Sequence, residues 1–141
     1  MDGRPNCTRR LSLKQQDEES QVYEAVKIKR SKIEIHGLAH ITGGAFSKLK
    51  RIGKRAKVGF DLRALPKPHN VFRTIQKKGA ISDREMYRTF NMGIGFLVIC
   101  PKRFSRQIAK ILPGATQIGE VAGSREVIAR IAGHDIQIEK W

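Results

Sequence analysis

Several features that would narrow the function of this 141-residue chain at once are scarce. It has two cysteines, Cys7 in a polar stretch and Cys100 closing an apolar run, which make neither a disulfide framework nor a zinc pattern. Cys100 reads as a small buried hydrophobe. Its four histidines lack metal spacing: His36 and His40 stand four apart, but Ile33 and Ile35 alternate and Leu38, Ala39 and Ile41 follow, which favours a strand, where that spacing is no compact chelate. No metal site is expected. Asp61, Asp83, Glu85 and Asp135 form no close carboxylate pair, and no serine elbow or triad signature is present, so the residues alone assign no catalytic group. The longest apolar or glycine stretch, Met92 to Cys100, falls far below the ~18 residues of a membrane span. Met1 to Ser20 is polar throughout, which argues against a secretory signal, and a soluble, cytoplasmic protein is the default expectation.

The length suits one domain, able to bury roughly 70% of the surface its unfolded form exposes. Apolar residues make up 40% and cluster in short runs, so most of the chain should fold. Charge is the outlying feature. With 28 Lys plus Arg against 13 Asp plus Glu, the formal net charge is +15, a field that attracts polyanions without requiring a particular fold. Its density peaks at Lys48, Lys50, Arg51, Lys54, Arg55 and Lys57, with no acid between Glu34 and Asp61. A solvated basic face, a phosphate-bearing small ligand and a nucleic acid are all compatible with that run.

Residues 1–20 carry Gly3, Pro5 and Asn6, several charges and no sustained apolar period, and are expected to form a disordered leader. Residues 21–141 are expected to form the domain. Val22, Tyr23, Val26 and Ile28 predict a helix ending near Lys32, and residues 33–41 predict a strand broken by Thr42-Gly43-Gly44. Phe46, Leu49 and Ile52 then predict a helix, Val58 to Leu62 a strand, and Val71, Phe72, Ile75 and Gln76 one face of a helix stopped by Gly79. Ser82 and Glu85 form a capping box that opens a helix through Met86, Tyr87 and Phe90. Met92 to Cys100 predicts a central buried strand, and Phe104, Ile108, Ile111 and Leu112 a helix ended by Pro113-Gly114. Gln117 to Val121 and Asp135 to Ile138 suit short strands, with Val127, Ile128 and Ile131 at helical spacing between them. The fold class expected is α/β, with an α+β-like character: a single mixed β-sheet covered by helices.

A strand leading through Thr42-Gly43-Gly44 into a helix is a generic phosphate cradle, because glycines let the backbone approach an anion and a helix start directs free N–H groups at it. The same pattern also makes a plain tight turn. It has neither the Lys-Ser/Thr of a P-loop nor the full dinucleotide fingerprint. His40 precedes the turn by two residues, and reads either as a group beside a bound anion or as a hydrogen-bonded core histidine. Asn91, before Met92-Gly93-Ile94-Gly95, reads either as a ligand group at the strand's mouth or as the residue closing the preceding helix.

Two segments carry a family resemblance. His36-Gly37-Leu38-Ala39-His40-Ile41-Thr42-Gly43-Gly44-Ala45-Phe46 and Glu85-Met86-Tyr87-Arg88-Thr89-Phe90-Asn91-Met92-Gly93-Ile94-Gly95-Phe96 resemble the signature runs of the carboxy-terminal domain of AIR synthetases, the phosphoribosylformylglycinamidine cyclo-ligases of purine biosynthesis. Pro68-His69-Asn70-Val71-Phe72-Arg73-Thr74-Ile75-Gln76, with Gly79, resembles the family's proline-led helix. The similarity spans about residues 21–138.

The resemblance implies an enzyme that uses ATP, with Mg, to activate the amide oxygen of formylglycinamidine ribonucleotide, after which an internal nitrogen closes the imidazole ring and ADP and phosphate leave. In that family an amino-terminal domain holds most of the nucleotide, usually in a homodimer, and the carboxy-terminal domain walls the cleft. Carried onto this sequence, His40, Thr42, Gly43, Gly44 and Asn91 line the cleft and bind substrate phosphate. The ATP-binding domain is expected to come from another chain or a homo-oligomer, with this chain inactive by itself and binding no cofactor alone. Three features depart from the family: Ala45 stands where a third glycine is usual, the run after Lys48 is more basic, and the leader is unrelated. A non-catalytic basic module that binds RNA or another polyanion on the same scaffold is the competing expectation, although aromatics are only 6% of the chain and no RNA motif is recognisable.

Overall fold

A computed structural model describes residues 8–11, as backbone, and 25–139. In chain order the elements are β1 (Thr8–Leu11), α1 (25–30), β2 (Gly37–His40), α2 (Ser47–Ala56), β3 (Gly59–Leu62), α3 (Asn70–Gly79), α4 (Asp83–Thr89), β4 (Phe96–Ile99), a 3₁₀ turn (Lys102–Phe104), α5 (Ser105–Ile111), β5 (Ala115–Ala122), β6 (Val127–Ile131) and β7 (His134–Gln137). The strands form a seven-stranded sheet in the order β2-β4-β1-β5-β3-β6-β7. Pairing is antiparallel except between β3 and β6, so the sheet is mixed, as expected.

Strand β4 is buried along its whole length and has neighbours on both edges. Because side chains alternate along a strand, it serves two cores. Leu97 and Ile99 join Phe46, which precedes α2, Leu49 of α2 and Met86 and Tyr87 of α4. Phe96 and Val98, with Cys100, join Ile28 of α1 and Ile108 and Leu112 at α5. Helices therefore cover both faces of the sheet here. This two-sided burial explains why the segment reads as a continuous apolar run instead of an alternating one. The strand proper is shorter than the run, since Met92 and Gly93 have φ of +53° and +88° and form a turn ahead of it.

The helix starts follow their local chemistry. Ser82 caps α4 by accepting the Glu85 N–H on its Oγ at 3.3 Å. The reciprocal half of the box is absent, because the Glu85 carboxylate accepts from Thr89 at 2.8 Å and pairs with Arg88 at 2.6 Å. Helix α3 has no buried residue. Phe72 and Ile75 are half-buried against the core while Val71 is 58% exposed, so Val71 does not belong to the packed face predicted for it. The left-handed residue ending α3 is Ala80, not Gly79.

Two expectations are corrected. Residues 127–131 form a strand, not a helix: the buried set is Val127, Ala129 and Ile131, a period of two, and β6 is held between β3 and β7. The small Ala129 hid that alternation. In the expected leader, Thr8–Leu11 form β1, paired with both β4 and β5, so these four residues belong to the sheet. The start of the helix predicted from Val22 and Tyr23 lies outside the described residues; its predicted end near Lys32 agrees with α1 and the turn after it.

Strand β5 passes so close to β3 that a Cβ on Gly119 would lie 2.2 Å from the Asp61 carbonyl oxygen. Backbone cannot yield as a side chain does, so Gly119→Ala should destabilise the fold by about 3 kcal/mol, the upper part of the range for overpacking. Ser82→Ala should lower stability by about 1 kcal/mol through loss of the cap. Urea denaturation of the two variants checks both values and their order. On the β6–β7 hairpin, the Arg130 guanidinium bonds both Asp135 oxygens, at 2.8 and 3.2 Å, and holds that carboxyl below the usual carboxylate range. A lowered folded-state pKa gives a contribution present at neutral pH and lost as pH falls through that pKa.

Candidate functional site

The β2–β4 register brings the two resemblance segments together. His40 pairs with Phe96, and the Ile41 N–H donates to the Gly95 carbonyl at 2.8 Å, so the turn leaving β2 and the turn entering β4 lie at the same end of the pair.

The first turn is built by Thr42 to Ala45. The Ala45 N–H donates to the Thr42 carbonyl at 2.8 Å, and Ser47 Oγ and N–H both donate to the Gly44 carbonyl, at 2.5 and 3.0 Å. The N–H groups of Gly43 and Gly44 have no acceptor among the described residues. Gly43 is exposed, and a Cβ there would meet nothing within 4 Å, so the turn's outer side is open. Gly44 has φ +80° and Ala45 φ +40°. Ala45 thus holds a left-handed conformation that glycine adopts freely, while its fully buried methyl joins the core beside Phe46. The usual third glycine is replaced without loss of the turn.

Lys48 completes this end. Its ammonium donates to the His40 carbonyl at 3.1 Å and to Thr42 Oγ1, which places a positive charge over the turn. No acid lies in the first turn of α2. Open N–H groups, a helix start and an ammonium together make an anion-accepting surface. His40 itself is exposed, and its ring has no partner among the described residues, so the core-histidine alternative does not hold.

The second turn is closed by the Ile94 N–H donating to the Asn91 carbonyl at 2.9 Å. Asn91 Oδ1 accepts the Gly93 N–H at 3.0 Å, so the side-chain oxygen stabilises its own turn and the amide nitrogen is the end left to reach outward. Helix α4 ends at Phe90 in an extended conformation, so Asn91 does not close it. His69, which precedes α3, packs over this turn: a Cβ on Gly93 would lie 2.9 Å from His69 Cδ2.

The structure thus places His40, Thr42, Gly43, Gly44 and Asn91 at one end of the β2–β4 pair, and adds Lys48 and His69 to them. Neither addition was singled out by sequence. Lys48 was one cation in a run, and the approach of His69 to Gly93 depends on a contact between distant segments. Among the described residues, no three of His, Cys, Asp and Glu come together as metal ligands. No described helix is long and apolar enough to cross a membrane.

A mixed sheet with helices on both faces, and a glycine turn feeding a helix beside a second glycine turn, define an α/β domain with one anion-accepting end. The family model described as "AIR synthase related protein, C-terminal domain" matches residues 9–132. The chain belongs to that family. It is 47% identical over 105 residues to the phosphoribosylformylglycinamidine cyclo-ligase of Methanocaldococcus jannaschii, covering 71% of this chain and 29% of that protein. To the same enzyme of Methanosarcina barkeri it is 47% identical over 91 residues, covering 64% of this chain and 26% of that protein. The chain therefore spans less than a third of these curated relatives. Among solved structures, T. maritima PurL complexed with ATP superposes with a TM-score of 0.67 at 8% identity, over 96% of this chain and 25% of that one. E. coli HypE, a hydrogenase maturation protein, gives 0.65 at 16%, over 84% and 39%. At such identities these two structures speak for the fold alone.

Gly93→Ala tests the second turn. The left-handed φ costs about 1–2 kcal/mol for an L residue, and the added methyl meets the imidazole. The expected outcome is a lower melting temperature with displaced His69 ring resonances in NMR spectra.

Proposed function

We propose that this chain acts as the carboxy-terminal part of a phosphoribosylformylglycinamidine cyclo-ligase, in which the end of the β2–β4 pair forms one wall of the substrate cleft. The observation that carries this reading is the meeting of the two signature turns at one end of the β2–β4 pair, with the Lys48 ammonium over the first of them. The substrate is a ribonucleotide, and its phosphate suits the open Gly43 and Gly44 N–H groups together with Lys48. His40 and Asn91 flank that position and supply polar groups for the rest of the ligand.

ATP activates the amide oxygen in this reaction and leaves as ADP, with inorganic phosphate released on ring closure. The chain spans less than a third of its curated relatives, and we assign ATP and its metal mainly to a part supplied by another chain or segment, in a homo-oligomer or a mixed one. This chain's share is to bind and orient the phosphorylated precursor and to close the cleft against water. A cytoplasmic setting accords with such a biosynthetic role.

The test combines the purified chain with the amino-terminal part of the Methanocaldococcus jannaschii cyclo-ligase and follows formation of aminoimidazole ribonucleotide. Turnover should require ATP and both proteins, with neither active alone. Loss of one charge-assisted hydrogen bond weakens binding by about 1.5–3 kcal/mol, so Lys48→Met should raise the KM for the ribonucleotide roughly 10- to 100-fold while leaving that for ATP nearly unchanged. Two folded proteins that neither associate nor turn over would sink the proposal.

A further inference from the structure

Beyond Lys48, which it shares with the cleft, the basic run of α2 has a shape that the cleft does not use. Lys48, Lys50, Arg51, Lys54 and Lys57, joined by Arg125 from the turn between β5 and β6, line one groove of about 590 Å³. Arg125 is fixed there by the fold: it has φ +59°, and its turn packs on Gly59 so tightly that a Cβ on that glycine would lie 2.9 Å from the Arg125 nitrogen. No acidic, aromatic or aliphatic side chain lines the groove.

Outside the groove some arginines are neutralised within the domain and others, such as Arg73, Arg84 and Arg106, are not. Arg63, Arg88, Arg103 and Arg130 each pair with a carboxylate. What sets the groove apart is the gathering: Lys50, Arg51, Lys54, Lys57 and Arg125 line one surface with no ion pair among the described residues, and Lys48 donates only to neutral oxygens. Like charges held this close repel one another, and the repulsion is relieved only by counter-charge from outside the domain.

The length of the array selects the ligand. From Lys48 to Lys57 the helix rises about 14 Å at 1.5 Å per residue, more than a single phosphate group can span. One nucleic-acid strand carries a phosphate about every 3.4 Å of duplex axis, so about four of them match that length. A protein partner would call for an interface core rich in aromatic side chains, which the groove lacks; its apolar surface comes from the stems of its own lysines and arginines. Nucleic-acid interfaces are the more polar and positively charged kind. With no aromatic platform for bases, recognition stops at the backbone.

We infer that the α2–Arg125 groove binds the phosphodiester backbone of a nucleic acid without sequence preference, as a surface that meets the substrate cleft at Lys48 and extends from it along α2. The probe is a fluorescently labelled 20-nucleotide RNA, with a DNA of the same sequence, titrated with the full chain at several salt concentrations. With about four phosphates neutralised, the slope of log K against log salt approaches about −3, and affinity falls on the order of 50-fold between 50 and 200 mM salt. RNA and DNA should bind within a few-fold of each other.

The net charge of +15 provides a rival explanation that a second variant separates. Arg51→Gln/Lys54→Gln removes two groove charges, and should flatten the slope by about 1.4 and weaken binding at low salt at least tenfold. Arg106→Gln/Lys110→Gln removes the same charge from exposed positions of α5 and should leave the slope close to that of the parent. All four residues are exposed, and circular dichroism confirms that the variants fold. Equal losses in the two variants overturn the assignment in favour of the diffuse field. So does displacement of the RNA by poly-glutamate at equal charge concentration, which points to an acidic protein, or by ATP at equal phosphate concentration, which points to a small nucleotide.

Discussion

Burial of β4 on both faces is the constraint on which the rest depends. Phe96 and Val98 lock into the cluster under α1 and α5, and Leu97 and Ile99 into the one under α2 and α4. Each such side chain contributes roughly 1.5–3 kcal/mol, and a one-residue slip would exchange the two sets between cores of different shape. Register along β4 is therefore fixed, and with it the partner β2. Both turns of the candidate site leave from the same end of this pair, so their spacing follows from the packing of β4.

Much of this was legible because the signals are local. The passage from strand through glycines to helix at Thr42 to Leu49 rests on residue types adjacent in sequence, and so does the Ser82 cap. The double burial of β4 was readable from unbroken hydrophobicity. What failed was long-range or masked by small residues. Strand β6 owes its form to β3 and β7, one of them paired in parallel from far away in sequence, and Ala129 occupies the position whose burial would have revealed the alternation. β1 belongs to a polar stretch without an apolar period, and only its two neighbours make it a strand.

The site divides in the same way. Sequence supplied the turns, but the positions of Lys48 and His69 depend on where other segments pass. Lys48 reaches back to His40 and Thr42, because the turn brings the first residues of α2 over the end of β2. His69 lies over Gly93, and hydrogen fills the place where any side chain would collide with it. The Asn91 oxygen is committed to its own turn, a constraint that composition could not reveal.

The helix start at α2 sets stability against binding. A helix amino terminus carries partial positive charge, so cations in the first turn are unfavourable by about 0.3–1 kcal/mol each. Here Lys48 and Lys50 sit at that end with no acid to offset them, while the favourable Lys54 and Arg55 sit at the other. Ala45, in left-handed conformation just before the helix, adds strain that its buried methyl partly offsets. Backbone conformation alone would favour glycine at position 45, and the helix dipole an acid in the first turn. Strain and like charge are concentrated where an anion would relieve them, and the two-sided burial of β4 is what allows the fold to carry both.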